Sequence, residues 1–486
     1  MEFRPVLFIV GLFICMTGGL MLFPLLADLI AGHGDWRAFG TAALVCGTCG
    51  TGLATACWGK IEGLTTRQSF LTVTMIWLAI AIAGTLPFIL GSKDLSVTDA
   101  FFESMSGLTT TGSTVVSGLD NAPPGFLLWR SILQWLGGVG VVVMATALMP
   151  FLAVGGLQLF RMEASEPSEK ILPGTGQIAS AITILYVFLT FLCFAAYKFC
   201  GMTGFDAINH AMTTIATGGF STKDASFGYF LTDPSIRYPV DLVATVFMII
   251  GALPFTLYLL LLRGKVGRLT KDSEVKLFLL VIAAGTLIIG LRIAHDFGLE
   301  PFQAFRLAIF NVVSLMTGTG YASADYMLWG AFAAGFFFII PFVGGCSGST
   351  SCGLKVFRVQ VAFEALALHV RRLAHPHRAT VARFNGRIIT DDVFLSVLSF
   401  FFIYFAIFAT SAVILSTMGL DMITALSAAG TSIANVGPGL GPTVGPASNF
   451  ASLPDAAKWV MSITMLIGRL ELLTVLVMLT PWFWTR

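Results

Sequence analysis

The chain of 486 residues is 56% hydrophobic, and only 11% of it is Asp, Glu, Lys or Arg, less than half the charged share of ordinary soluble domains. Its 28 basic and 26 acidic residues leave a formal net charge of +2, so bulk charge gives no reason to expect a nucleic-acid partner. Eight cysteines are scattered, most of them in apolar stretches (Cys15, Cys46, Cys49, Cys57, Cys193), which favours isolated thiols over a disulfide scaffold. The expectation is an all-α polytopic membrane protein.

About twenty apolar residues cross a hydrocarbon core. Runs of that kind recur at 5–30, 38–58, 70–91, 127–158, 176–199, 239–262, 277–294, 326–343, 392–418 and 457–481, which predicts ten crossings. The first run is long and lacks a small-x-small stop, so no cleaved leader is expected. Placing both ends inside puts 18 basic residues on the inner side and nine outside, with Arg469 left within a helix. That bias predicts two cytoplasmic termini. The largest inner basic block, around 355–390, reads as a docking surface for a cytosolic partner or as a topology signal.

Between certain crossings lie segments too apolar for loops and too short to span: ESMSGLTTTGS at 103–113, NHAMTTIATGGFS at 209–221, NVVSLMTGTGYAS at 311–323 and ALSAAGTSIANVGPG at 425–439. Superposing Gly112, Gly218, Gly320 and Gly437 gives intervals of 106, 102 and 117 residues, an internal repeat. Thr111, Thr217, Thr319 and Val436 then stand immediately before the glycines, and Glu103, Asn209 and Asn311 nine residues before, with Ala428 in the fourth copy. The predicted fold is four pseudo-fourfold repeats of helix, re-entrant pore helix, filter and helix, plus an amino-terminal two-helix hairpin. The divisions are 1–65 for the hairpin, then 66–165, 166–270, 271–388 and 389–486 for the repeats.

Irregular backbone at membrane depth is tolerated only where protein buries it or it lines a water-filled cavity. Four extended segments around one axis would aim carbonyls inward, where they can replace the hydration shell of a monovalent cation. Glycine permits the backbone angles this needs, threonine adds a hydroxyl, and the carboxyl ends of the short helices favour positive charge.

The motifs LTTTGST at 108–114, TTIATGGFST at 213–222, MTGTGYASAD at 316–325, VGGCSGSTSCGLK at 343–355, SIANVGPGLGP at 432–442 and IGRLE at 467–471 together resemble the TrkH/TrkG branch of the Trk/Ktr/HKT superfamily of potassium transporters. The resemblance implies K⁺ uptake, homodimers with one pore per protomer, and a cytosolic ring of TrkA-like RCK subunits that sense nucleotides. It implies a bacterial cytoplasmic (inner) membrane, contact with membrane lipid, and no cofactor beyond the transported K⁺. It matches the family's filter glycines to Gly112, Gly218, Gly320 and Gly437, and its pore-blocking arginine to Arg469. It matches the family's gating loop to Gly344, Gly345, Cys346, Ser347, Gly348, Ser349, Thr350, Ser351, Cys352 and Gly353. Two departures stand out: Cys352 where the family has glycine, and Gly318 where threonine or serine is common.

Arg469 in an apolar run is costly unless it faces a cavity or a partner, so it reads as a pore gate, or otherwise as half of a structural ion pair. The Gly/Ser segment after Pro341 cannot hold a helix and reads as a plug under the filter, or as a tight bend. Glu103, with Asn209 and Asn311, reads as filter scaffold in preference to a cation concentrator. Asp120, Asp224 and Asp325 follow the filters, at an outer mouth or simply in solvent. His210, His295, His375 and His377 have no metal-site spacing, and the chain has no Walker or GxGxxG unit, so neither a transition-metal site nor an enzyme is expected. A K⁺-selective pore-forming subunit is the leading reading, and a proton- or sodium-coupled K⁺ symporter the alternative.

Overall fold

A computed structural model describes residues 2–59, 64–144, 175–377 and 381–485. The amino-terminal hairpin pairs α1 (Arg4–Leu20), continued by α2 (Leu22–Ala31), with α3 (Trp36–Ala56). Glycine lets the two backbones touch: a Cβ on Gly11 would lie 2.8 Å from Gly50 O, and one on Gly50 2.7 Å from Cys15 N. Cys46 and Cys49 have a CxxC spacing on α3, yet both are free thiols, one buried and one exposed.

The rest of the chain runs α4 (Thr66–Leu90), α5 (Val97–Leu108), α6 (Pro124–Val143), α7 (Thr175–Cys200), α8 (Gly204–Ile215), α9 (Val240–Ala252), α10 (Phe255–Leu262), α11 (Ser273–Phe297) and α12 (Pro301–Met316). Then come α13 (Ala331–Val343), α14 (Val356–Ala374), α15 (Asp391–Thr417), α16 (Met422–Ala434), α17 (Asp455–Arg469) and α18 (Leu473–Leu479), with short helices also at Phe227–Thr232, Val266–Lys271 and Pro481–Trp484. The one departure from all-α among the described residues is a two-stranded hairpin, β1 (Arg383–Phe384) against β2 (Arg387–Ile388). Its turn residues Asn385 and Gly386 have φ 47° and 83°, the left-handed pair that an Asn-Gly turn favours.

Among the described residues, seven helices are long and apolar enough to cross a membrane, or eight if α9 and α10, bent by 92°, form one span. The two remaining predicted crossings are interrupted. α13 has 13 residues and stops at Gly344, and the run 457–481 breaks after Arg469, where Glu471 takes φ 58°. The bend between α9 and α10 falls at Pro254, which has no N–H to continue the helix. Of the crossing expected at 127–158, residues from 145 onward lie outside the described residues, as do Lys60, Arg161, Lys170, Arg378, Arg486 and the 165/166 division. Outward faces such as Ile184, Phe188 and Phe191 of α7 remain exposed, as lipid-facing side chains do.

The candidate ion pathway

Four short helices, α5, α8, α12 and α16, lead into the centre. Ser96, Thr203 and Asp421 start three of them by accepting the N–H of Asp99, Asp206 and Thr424, whereas α12 opens with Pro301 at its first turn. The last six residues of each are buried. Each then unwinds into left-handed backbone. The pairs are Thr110 and Gly112 (φ 54° and 84°), Thr217 and Gly219 (49° and 80°), and Gly318 and Gly320 (80° and 80°), while the fourth segment has Asn435 (51°) two residues before Gly437.

This geometry corrects the register of the second segment. The amides of Thr111, Gly218 and Val436 each return to the carbonyl five residues back, on Ser106, Thr213 and Thr431. Gly219, not Gly218, therefore shares the level of Gly112, Gly320 and Gly437, and Gly218 stands level with Thr111. The same one-residue shift places His210, not Asn209, opposite Glu103 and Asn311. Two adjacent glycines made either alignment equally good in sequence, and the Asn209–Asn311 match favoured the wrong one.

The segments close on one another in turn. A Cβ on Gly112 would collide with Gly218 O, and one on Gly219 with Thr319 O. A Cβ on Gly320 would lie 2.9 Å from Gly437 N, and one on Gly437 would lie 2.9 Å from Gly112 O. First leans on second, second on third, third on fourth and fourth on first. Any side chain at these four levels would push the ring apart.

Buried polar groups fasten the ring from behind. Glu103 accepts from the Thr114 hydroxyl at 3.0 Å and from Val115 N at 3.0 Å, both just beyond the first glycine. Its charge is met by Arg130 Nε at 2.7 Å, with both side chains almost wholly out of solvent. Arg130 also donates to Ser221 O (2.9 Å) and lies over the Phe220 ring (4.0 Å), so it links the first segment to the second. Gln134, one helical turn on, donates to Gly218 O at 2.5 Å and accepts Phe220 N at 3.0 Å. His210 meets Ser221 Oγ at 3.0 Å, and Asn311 donates to Ser323 Oγ at 2.8 Å. Asn209 instead donates back to Phe205 O at 2.8 Å, within its own helix.

Arg130 and Gln134 were missed in sequence, where Arg130 counted as an outer charge. A lone arginine within an apolar helix was the available signal, the same one that singled out Arg469. The aspartates beyond the ring make local ties: Asp224 accepts Leu119 N (3.1 Å), Asp325 accepts Met327 N (3.0 Å), and Asp120 lies 3.9 Å from Lys223.

The segment from Gly344 to Lys355 is buried apart from Gly348 and Gly353. It meets the broken second-repeat helix through backbone bonds from Cys346 N to Ala252 O (3.0 Å), Thr350 N to Gly251 O (3.2 Å) and Phe255 N to Gly348 O (3.0 Å). Above it, the Thr350 hydroxyl donates to Ile215 O (3.0 Å), at the end of α8, and Ser351 Oγ donates to Thr317 O (2.6 Å) at the base of the third segment. Glu274, buried at the start of α11, accepts Ser347 N at 2.6 Å. Arg469 donates to Thr350 O (3.3 Å), to Cys352 Sγ and to Gly137 O (3.1 Å). Its neighbour Glu471, turned aside by the helix break, pairs with Arg358 at 2.5 Å. The loop and the arginine thus meet directly beneath the ring.

Apolar spans packed around a buried ring of irregular, carbonyl-bearing backbone define a multi-pass membrane protein. The sequence profile of TrkH, a cation transport protein, matches residues 39–482, and the chain belongs to that family. It is 45% identical over 489 residues to the Trk system potassium uptake protein TrkI of Halomonas elongata, covering all of this chain and 98% of that one. It is 37% identical over 492 residues to the Trk system potassium uptake protein TrkH of Escherichia coli, with both chains covered in full. The crystal structure of the potassium transporter TrkH from Vibrio parahaemolyticus superposes with a TM-score of 0.91 at 35% identity, again over the whole of both chains.

Proposed function

We propose that this chain is the pore-forming subunit of a K⁺ uptake system in a bacterial cytoplasmic membrane. The observation that carries the reading is the cyclic closure of the four glycine segments, each seated on the backbone of the next. In this reading the carbonyls around Thr111, Gly112, Gly218, Gly219, Thr319, Gly320, Val436 and Gly437 replace the water shell of K⁺ or Rb⁺. Thr217, predicted at the same level as Thr111, lies one residue deeper. Glu103, His210 and Asn311 hold the segments in place, and no cofactor takes part.

The loop Gly344–Gly353 and Arg469 close the path beneath the filter, where a buried guanidinium repels a resting cation. Family membership and the names of the relatives support potassium as the transported ion. The chain works as a homodimer with both termini cytoplasmic and meets a TrkA-like RCK ring on its inner face, where the basic segment around 355–390 lies.

Purified protein in liposomes under a set membrane potential tests this. Rb⁺ and K⁺ should flow without a pH or Na⁺ gradient, Arg469→Ala should raise the flux, and Gly112→Ser should admit Na⁺. K⁺ that moves only with a proton or Na⁺ gradient would instead identify a coupled symporter.

A further inference from the structure

Two residues below each filter glycine stands a second, innermost ring: Thr110, Thr217, Gly318 and Asn435, all with positive φ. Three of these positions carry a polar side chain although left-handed backbone disfavours one. The third has none. The loop fills that side. A Cβ on Gly318 would lie 3.7 Å from the Cβ of Cys352 and 3.5 Å from its amide nitrogen, in ordinary van der Waals contact. The Cys352 thiol reaches the Thr110 hydroxyl at 3.7 Å, and Thr350 of the same loop meets the Thr217 hydroxyl at 3.2 Å. Asn435 closes the circuit by donating to the Thr111 hydroxyl at 3.0 Å.

The same thiol accepts from Arg469 Nη1. Arg469 is 4% exposed and its Nε has no hydrogen-bond partner among the described residues, so the guanidinium's position rests on Thr350 O, Cys352 Sγ and Gly137 O. Two of those three acceptors belong to the loop.

We propose that Cys352 is a positioning residue for ion passage: it supplies from the loop the ring side chain that the third repeat lacks at Gly318, and it holds Arg469 beneath the filter. This rests on the pore reading above. Loop, ring and arginine then form one closed unit with sulfur at its centre, and displacing the loop removes a ring member and frees the arginine in the same movement. Serine can replace cysteine here, because a hydroxyl also accepts from a guanidinium, whereas glycine cannot.

The test uses the full chain in K⁺-loaded liposomes with Rb⁺ uptake as readout. Cys352→Gly should raise uptake about tenfold, the effect of losing one charge-assisted hydrogen bond from the closed state, while Cys352→Ser stays near the parent. Gly318→Cys should form a disulfide with Cys352 under mild oxidation, since the Cβ separation lies in the bonding range, and peptide mapping detects it without any flux. The bridge should shut uptake off until reductant is added. Equal uptake by Cys352→Ser and Cys352→Gly, or no bridge in Gly318→Cys, overturns the role of Cys352 while parental uptake keeps the pore reading standing. No uptake by any of the proteins overturns both.

Discussion

Arg130 and Glu103 form the buried pair that fastens the first glycine segment, and a buried pair is most costly when only one partner is removed. Arg130→Gln should therefore destabilise the protein by about 3–5 kcal/mol, read as a lower unfolding temperature in detergent, because it strands the Glu103 charge. Glu103→Gln in the same chain should recover much of that loss, and equal melting of the single variant and the parent would show that the pair contributes nothing. At the glycines, the corrected register makes a sharp distinction. Gly219→Ser should raise Na⁺ over K⁺ permeation as Gly112→Ser does, since both positions face a neighbouring segment's carbonyl. A K⁺/Na⁺ ratio unchanged in Gly219→Ser would return the second filter position to Gly218.

Among the elements, the short helices and their glycine ends were legible because composition changes there: the stretches are apolar, short and closed by Thr-Gly. The breaks in the second-repeat and fourth-repeat helices were not. The bend at Pro254 sits in a run whose hydropathy is uninterrupted, and the turn at Glu471 coincides with a long-range pairing to Arg358. The break after Gly344 announced itself through its density of glycine and serine, whereas Pro254 was the one residue-level mark of the corner between α9 and α10 and was read through. The one-residue error in the second filter has a similar origin, because the hydrogen bond from Gly218 N to Thr213 O that sets the register leaves no mark on residue type. The loop is also tied at the start of α11, where Glu274 accepts Ser347 N. Glu274→Ala should loosen the closed loop and raise K⁺ flux about tenfold. Parental flux in that variant would show that the tether does not hold the gate.

For the whole molecule, the amino-terminal hairpin shares a buried apolar core with the first repeat, Phe39 packing on Trp129, and one buried carboxylate ties α2 to α6. Asp28 of α2 is buried and accepts Gly125 N at 2.6 Å, at the start of α6, where exposed amides and the helix dipole favour a carboxylate. Asp28→Ala should lower the unfolding temperature by an amount equivalent to about 1–3 kcal/mol, with the K⁺/Na⁺ flux ratio unchanged, because the contact is remote from the ring. A changed ratio would tie the hairpin to the filter after all. The bent pair α9 and α10 carries a different consequence. Since Phe255 N is bonded to Gly348 O, and Ala252 O to Cys346 N, the corner of that bend and the loop share backbone. α10 runs from this corner at 92° to α9 and ends at Leu262, next to Arg263 and Lys265. Such a corner has the geometry of a crank: a torque applied at the basic outer end of α10 would turn about Pro254 and reach Gly348 through the backbone bond to Phe255, with no side chain in between.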